Sequence, residues 1–206
     1  MSLYHIDTLP YYSYGIWKIE EDEASLRQAS GCIAPSTLSN PVRRAEYLAV
    51  RALAKRMGIK AETINYLPSG KPYLANDTRT ISISHTKDYV AVMLSRLPLA
   101  GIDIETRSPR VMRVRHKYMH PEEEHQLVAS GIDETVGLLL HWCIKEAIFK
   151  AIPEEGVDFA QEIRVTELSC LDGTWHFTGK SFRSNTPFQV NYLIGPAFVL
   201  TCCYSI

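Results

Sequence analysis

Several features that would sort a protein quickly are missing from this sequence. Its five cysteines, at 32, 143, 170, 202 and 203, form no Cys-x-x-Cys and no paired spacing. An odd, scattered set reads as reduced and mostly buried thiols, which excludes a disulfide framework and points to the cytoplasm. Residues 1–7 carry no basic n-region and no apolar h-region, so no secretory signal is expected. No apolar run is long enough to span a bilayer, so no membrane role is expected. Excess charge is missing too. With 22 Lys and Arg against 23 Asp and Glu, the formal net charge is -1. That excludes a protein that holds nucleic acid by bulk charge, and any basic patch must be local. Low-complexity tracts and long linkers are also absent. What remains is ordinary globular material, 46% hydrophobic and 22% charged over 206 residues. It suffices for one large domain or two small ones in contact.

The order of elements favours two. The acidic stretch Glu20-Glu21-Asp22-Glu23 precedes a short helical segment through Gln28. Pro41 after Ser39-Asn40 marks a helix start; Ala45, Leu48, Ala49, Ala52 and Leu53 then recur at helical spacing until Gly58 stops them. Residues 63–67, 79–85, 89–95 and 100–105 read as strands of one antiparallel meander. In the second of these, Ile81 and Ile83 share one face while Ser82 and Ser84 share the other. Helical patterns return at 112–118 and 122–129, followed by a long one at 133–151 that ends at Pro153 and Gly156. The rest, 162–205, is strand-like, with turns at Asp172-Gly173 and Ser184-Asn185. Helices then strands, twice over, predicts an α+β fold of two similar halves, 1–102 and 103–206. No repeat is visible residue by residue.

Two segments carry chemistry: Gly101-Ile102-Asp103-Ile104-Glu105 and Trp142-Cys143-Ile144-Lys145-Glu146-Ala147-Ile148-Phe149-Lys150. On a strand, Asp103 and Glu105 project to one side while Ile102 and Ile104 pack on the other. On a helix, Glu146 and Lys150 are neighbours at i and i+4. If strand and helix meet, three carboxylates suit a hard divalent cation, Mg2+ foremost, shared with substrate phosphates. The lysines suit the phosphates themselves.

These blocks, with Gly70-Lys71-Pro72, Ser82-Ile83-Ser84-His85-Thr86 and a looser Arg43-Arg44-x-Glu46-x-Leu48-Ala49-x-Arg51, resemble the 4'-phosphopantetheinyl transferases of the two-halved type. They span residues 43–150 in the family's order. The resemblance implies transfer of the 4'-phosphopantetheine arm of coenzyme A to a serine of an apo acyl or peptidyl carrier protein. It also implies two α+β halves related by a pseudo-twofold, acting as a monomer with coenzyme A between them. Asp103, Glu105 and Glu146 would be the Mg2+ ligands, and Glu146 and Lys150 the catalytic pair. Lys150, Lys145, Ser84, His85 and Thr86 would hold phosphates of coenzyme A. Lys71 and Arg44 would meet its 3'-phosphate or adenine end. The resemblance departs after Lys150, where a Gly-rich turn is replaced by the more acidic Ala151-Ile152-Pro153-Glu154-Glu155-Gly156.

Plainer readings compete. Asp103 and Glu105 could be a solvent-facing pair, Glu146 and Lys150 a surface ion pair, and Arg43, Arg44 and Arg51 a solvated helix face. Trp142 reads as a packing residue that orients its helix. His116, His120 and His125 raise a zinc site, but Pro121 interrupts the helix between them and no cysteine lies nearby. As whole functions, a coenzyme A-binding module without transfer and a metal-dependent phosphohydrolase stand beside the transferase.

Overall fold

The computed structural model describes residues 2–154 and 156–206, so Glu155 of the acidic turn lies outside the described residues. The chain divides into two compact units that meet at Leu97 and Pro98. The expected boundary at 102/103 falls inside a single strand, which belongs wholly to the second unit.

The first unit contains β1 (Leu3–Thr8), β2 (Tyr12–Lys18), α1 (Glu23–Ser30), α2 (Pro41–Arg56), β3 (Ile64–Tyr66), β4 (Pro72–Leu74), β5 (Thr80–Thr86) and β6 (Tyr89–Ser95). Four strands form an antiparallel sheet in the order β1-β2-β6-β5, and β3 and β4 pair separately. The side chain of Asn40 accepts from the Val42 amide at 2.8 Å, and Pro41 opens α2, so this helix starts where its caps dictate. Its apolar stripe buries Leu48, Ala49, Ala52 and Leu53 with Trp17, Val90 and Val92.

The second unit contains β7 (Ala100–Thr106), α3 (Arg110–Val114), a 3-10 turn (Arg115–Lys117), α4 (Pro121–Ser130), α5 (Glu134–Ala151), β8 (Ile163–Leu171), β9 (Thr174–Ser181), β10 (Thr186–Ile194) and β11 (Phe198–Tyr204). Its antiparallel sheet runs β7-β11-β10-β9-β8. Asp133 caps α5, accepting from the Val136 amide at 2.9 Å. The helix buries Leu138, Leu139, Ile144 and Ile148 with Phe177, Phe188 and Val199. Each unit is therefore α+β, as expected. The single meander is not observed. β5 pairs with β6, but β7 pairs with β11, more than ninety residues away in the chain (Asp103 opposite Thr201). The N-terminal hairpin β1–β2 has no counterpart in the sequence reading.

A repeat invisible in the sequence emerges from topology. In both units a strand leads into helices, and the last strand of a closing hairpin inserts beside that first strand: β2-β6-β5 in one, β7-β11-β10 in the other. Both first strands contain Gly-Ile, at Gly15-Ile16 and Gly101-Ile102. Both glycines lie against the long helix. A Cβ on Gly15 would come within 2.8 Å of the Leu53 side chain; one on Gly101 would lie 2.0 Å from the Ala147 carbonyl oxygen and 3.1 Å from the Ala151 nitrogen. The residue two past each glycine is Trp17, fully buried, in the first unit and Asp103 in the second.

The Gly101 contact is backbone against backbone and has no side chain to give way. Gly101→Ala should destabilise the protein by about 3 kcal/mol, the upper end of overpacking costs. Gly15→Ala meets the end of a flexible leucine and should cost roughly 1 kcal/mol. Urea unfolding of the two variants, compared through midpoints and slopes, checks this; equal losses would show that the two contacts are not of different kinds.

Candidate active site

The close approach at Gly101 decides which residues of β7 face α5. Side chains alternate along a strand, so Asp103 and Glu105 share the helix-facing side with Gly101, and Ile102 and Ile104 take the other. On α5, Trp142, Glu146 and Lys150 recur every fourth residue and form one line. The indole Nε1 of Trp142 donates to Glu105 Oε1 at 3.1 Å, and Lys150 Nζ donates to Asp103 Oδ1 at 2.6 Å. Glu146 lies on the helix between the residues that grip the two strand carboxylates. The structure thus brings Asp103, Glu105, Glu146 and Lys150 together.

The electrostatics record this crowding. Burial, and after it the charge of Asp103 and the smaller effect of Glu105, pushes Glu146 up to about 7, while Lys150 pulls the other way. For Lys150, burial pulls the ammonium down, but the Asp103 carboxylate more than reverses this and leaves it raised. Among the described residues no group of three or more His, Cys, Asp or Glu side chains is gathered tightly enough to hold a metal ion. The ammonium of Lys150 occupies one oxygen of Asp103 instead. Even so, the donor set fits a hard cation in kind: all-oxygen, partly dehydrated, and with like charges crowding Glu146 that a cation would offset.

Lys145 departs from the expected phosphate-binding role. It is completely buried, and its ammonium donates to Glu123 Oε2 at 2.6 Å, Tyr118 O at 2.5 Å and Phe159 O at 2.9 Å. An ammonium has three donors, and all are used. Glu123, equally buried, also accepts from the His120 amide through Oε2 and the Val165 amide through Oε1, both at 2.7 Å. Sequence reasoning missed Glu123. Its signal was the i,i+4 spacing to Leu127, which puts it on the inner face of α4.

In the first unit, Arg43 rather than Arg44 meets His85: Arg43 Nη1 lies 3.0 Å from His85 Nε2 and 2.9 Å from Glu46 Oε2. Arg44 is bound instead to Glu23, at 2.5 and 2.9 Å. Along β5, Ser84 and Thr86 share one face and His85 the other, so the three side chains cannot converge on one phosphate. Ser84 is buried and His85 exposed. Lys71 sits in the turn between β3 and β4, where its carbonyl accepts from the Leu67 amide at 2.9 Å. Of the histidines raised for zinc, His120 caps α4 through Nδ1, and His116 and His125 are exposed.

A family model described as the 4'-phosphopantetheinyl transferase superfamily matches residues 100–203, from the first residue of β7 almost to the end of β11. The chain belongs to that superfamily. A Haemophilus influenzae protein with the provisional designation of 4'-phosphopantetheinyl transferase is 27% identical over 143 residues. The match spans 66% of this chain and 57% of the relative, so this superfamily member covers little more than half of that relative's length. Among the described residues no helix is long and apolar enough to cross a membrane.

Two groups on α5 should oppose each other as pH changes. Glu146, surrounded by Asp103, Glu105 and Lys150, keeps in the folded chain a proton that the unfolded chain releases above its ordinary value of 4.5. It therefore adds stability as pH falls from about 7 toward 4.5, by up to roughly 3 kcal/mol. His141 is completely buried and donates from Nδ1 to Gly137 O at 2.7 Å; burial holds its imidazole below the ordinary value, with Glu123, Glu124 and Lys145 as its charged neighbours. Here the unfolded chain takes up the proton, so stability is lost below about pH 6.5. Glu146→Gln should make melting temperature fall on acidification from pH 7 to 5, and His141→Leu should make it rise. Melting curves across that range test this; a Gln variant running parallel to the wild type would refute the Glu146 assignment.

Proposed function

We propose that the chain transfers the 4'-phosphopantetheine arm of coenzyme A to a serine hydroxyl of an apo carrier protein, yielding holo-carrier and adenosine 3',5'-bisphosphate. The observation that carries this is the line of Trp142, Glu146 and Lys150 on α5 set against Asp103 and Glu105 on β7. The superfamily match over the same unit supports it. Asp103, Glu105 and Glu146 would hold Mg2+, which, when bound, supplies charge neutralisation on the diphosphate. In the reaction the serine Oγ forms a bond to the pantetheine-bearing phosphorus as the bond to adenosine bisphosphate breaks. Glu146 would receive the hydroxyl proton, and the Lys150 ammonium would pair with the leaving phosphate. All five cysteines are free thiols, which supports a reducing cytoplasm. Two halves in one chain support a monomer.

Just beyond Glu105 the chain turns strongly basic. Arg107, Arg110, Arg113 and Lys117 are exposed, and among the described residues none of the four has an ion-pair partner. The last three recur at i, i+3 and i+7 through α3 and the turn that follows, a single cationic face. A protein that presents a serine to Asp103 and Glu105 would lie over it, and an acidic surface would complement it.

Incubation with coenzyme A, Mg2+ and several apo carriers, followed by intact mass measurement, tests the reading. One phosphopantetheine arm should be gained, and the gain lost in Asp103→Ala and Glu146→Ala. Cleavage of coenzyme A without carrier modification would mean hydrolysis, and tight binding with no turnover would mean a binding module.

Reversal of the cationic face, Arg110→Glu with Arg113→Glu and Lys117→Glu, should raise the carrier KM on the order of tenfold and flatten its salt dependence. The turnover number at saturating carrier should hold. An unchanged KM would remove the acidic-partner element.

A further inference from the structure

The buried Lys145 has a use that its failure to reach solvent does not explain. Its ammonium holds two backbone carbonyls, those of Tyr118 and Phe159. The rings of the same two residues clamp the Trp142 indole. Phe159 stacks on it with centroids 5.7 Å apart and planes at 24°, and Tyr118 meets it at 5.1 Å and 66°. The clamped indole then donates from Nε1 to Glu105 Oε1 at 3.1 Å. One buried cation thus anchors both jaws of a clamp whose contents hold a site carboxylate.

Lys145 and Glu123 are a costly way to fill a core. A buried ion pair of this kind generally contributes no more stability than apolar residues of the same volume. The first unit has a corresponding buried cation. Two residues before Leu53, the helix neighbour of Gly15, stands Arg51; two before Ala147, the helix neighbour of Gly101, stands Lys145. Arg51 is 5% exposed, stacks at 3.4 Å over the Tyr47 ring and donates to the Tyr47 carbonyl at 3.3 Å. In both units the cation at this helical position grips an aromatic residue rather than solvent.

We propose that Lys145 is a positioning residue: its ammonium fixes Tyr118 and Phe159, they fix Trp142, and Trp142 aims the Glu105 carboxylate. This rests on the reading of Asp103, Glu105 and Glu146 as the reacting site, but its first test does not. Lys145→Met alone strands the Glu123 charge in the core, so it is paired with Glu123→Gln to keep the unit folded. The chain has three tryptophans. In 15N spectra of the protein without ligand, Trp142→Phe identifies the Trp142 indole N–H, and Glu105→Gln shows how that signal moves when its carboxylate acceptor is lost. The Glu123→Gln/Lys145→Met variant should move it in the same direction while the Trp17 and Trp175 indoles stay in place. An unmoved Trp142 signal in a folded variant overturns the proposal.

Kinetics supply the second arm. Loss of an outer partner of this kind should lower the turnover number about 10- to 100-fold, with the coenzyme A KM nearly unchanged. If Lys145 acts through Trp142, adding its replacement to Trp142→Phe should cost nothing further. Additive losses, or a raised coenzyme A KM with the indole signal unmoved, would return Lys145 to direct phosphate binding. If no carrier is modified even by the wild type, the transferase reading fails, while the indole shift still decides the clamp.

Discussion

Everything in the second unit that bears on chemistry depends on how closely β7 lies against α5. At Gly101 the strand backbone and the helix backbone touch with no side chain between them. Only at that separation can the short carboxylate of Asp103 meet the Lys150 ammonium while the Trp142 indole reaches Glu105. Any wider spacing would admit water to the space around Glu146. Its carboxyl would then regain the solvation whose loss is the main reason that it binds its proton so tightly. Packing here sets the electrostatics.

The same geometry separates two kinds of lysine that look alike in sequence. Lys145 and Lys150 lie five residues apart on one helix, which turns them to different sides. Lys150 shares a line with Glu146 and is paired at the site edge. Lys145 is turned into the core, where Glu123 and two carbonyls satisfy it completely. A fully satisfied buried network rigidifies what surrounds it, and here it surrounds the indole next to the carboxylates.

Much of this was legible beforehand because it is local. Strand alternation placed Asp103 and Glu105 together, helical spacing joined Glu146 to Lys150, and Asn40, Pro41 and Gly58 marked the ends of α2. Non-local pairing was not legible. Nothing in residues 100–105 says that their partner is β11 rather than β6, since both are largely apolar. The fate of Lys145 was hidden for a similar reason: burial depends on Glu123 arriving from another helix. The identity of Arg43 as the neighbour of His85 turned on a one-residue rotation of α2, about 100°, which a loosely patterned block does not resolve. The opposed faces of Ser84 and His85, in contrast, could have been read from the alternation already noted at Ile81 through Ser84.

The two units carry the same strand-and-helix device with different side chains mounted on it. Where the second has Asp103, the first has Trp17 deep in its core. A glycine faces the long helix at the matching strand position in both, but only at Gly101 does backbone meet backbone, so the frame is shared while its closest approach is not. A duplicated frame of this sort can confine its reactive groups to one copy, and the other copy is then free to exchange polar positions for packing. Mutational tolerance across the protein should accordingly be lopsided. Position 17 can be chosen for packing alone, whereas a change at position 103 strands the Lys150 ammonium that Asp103 now holds.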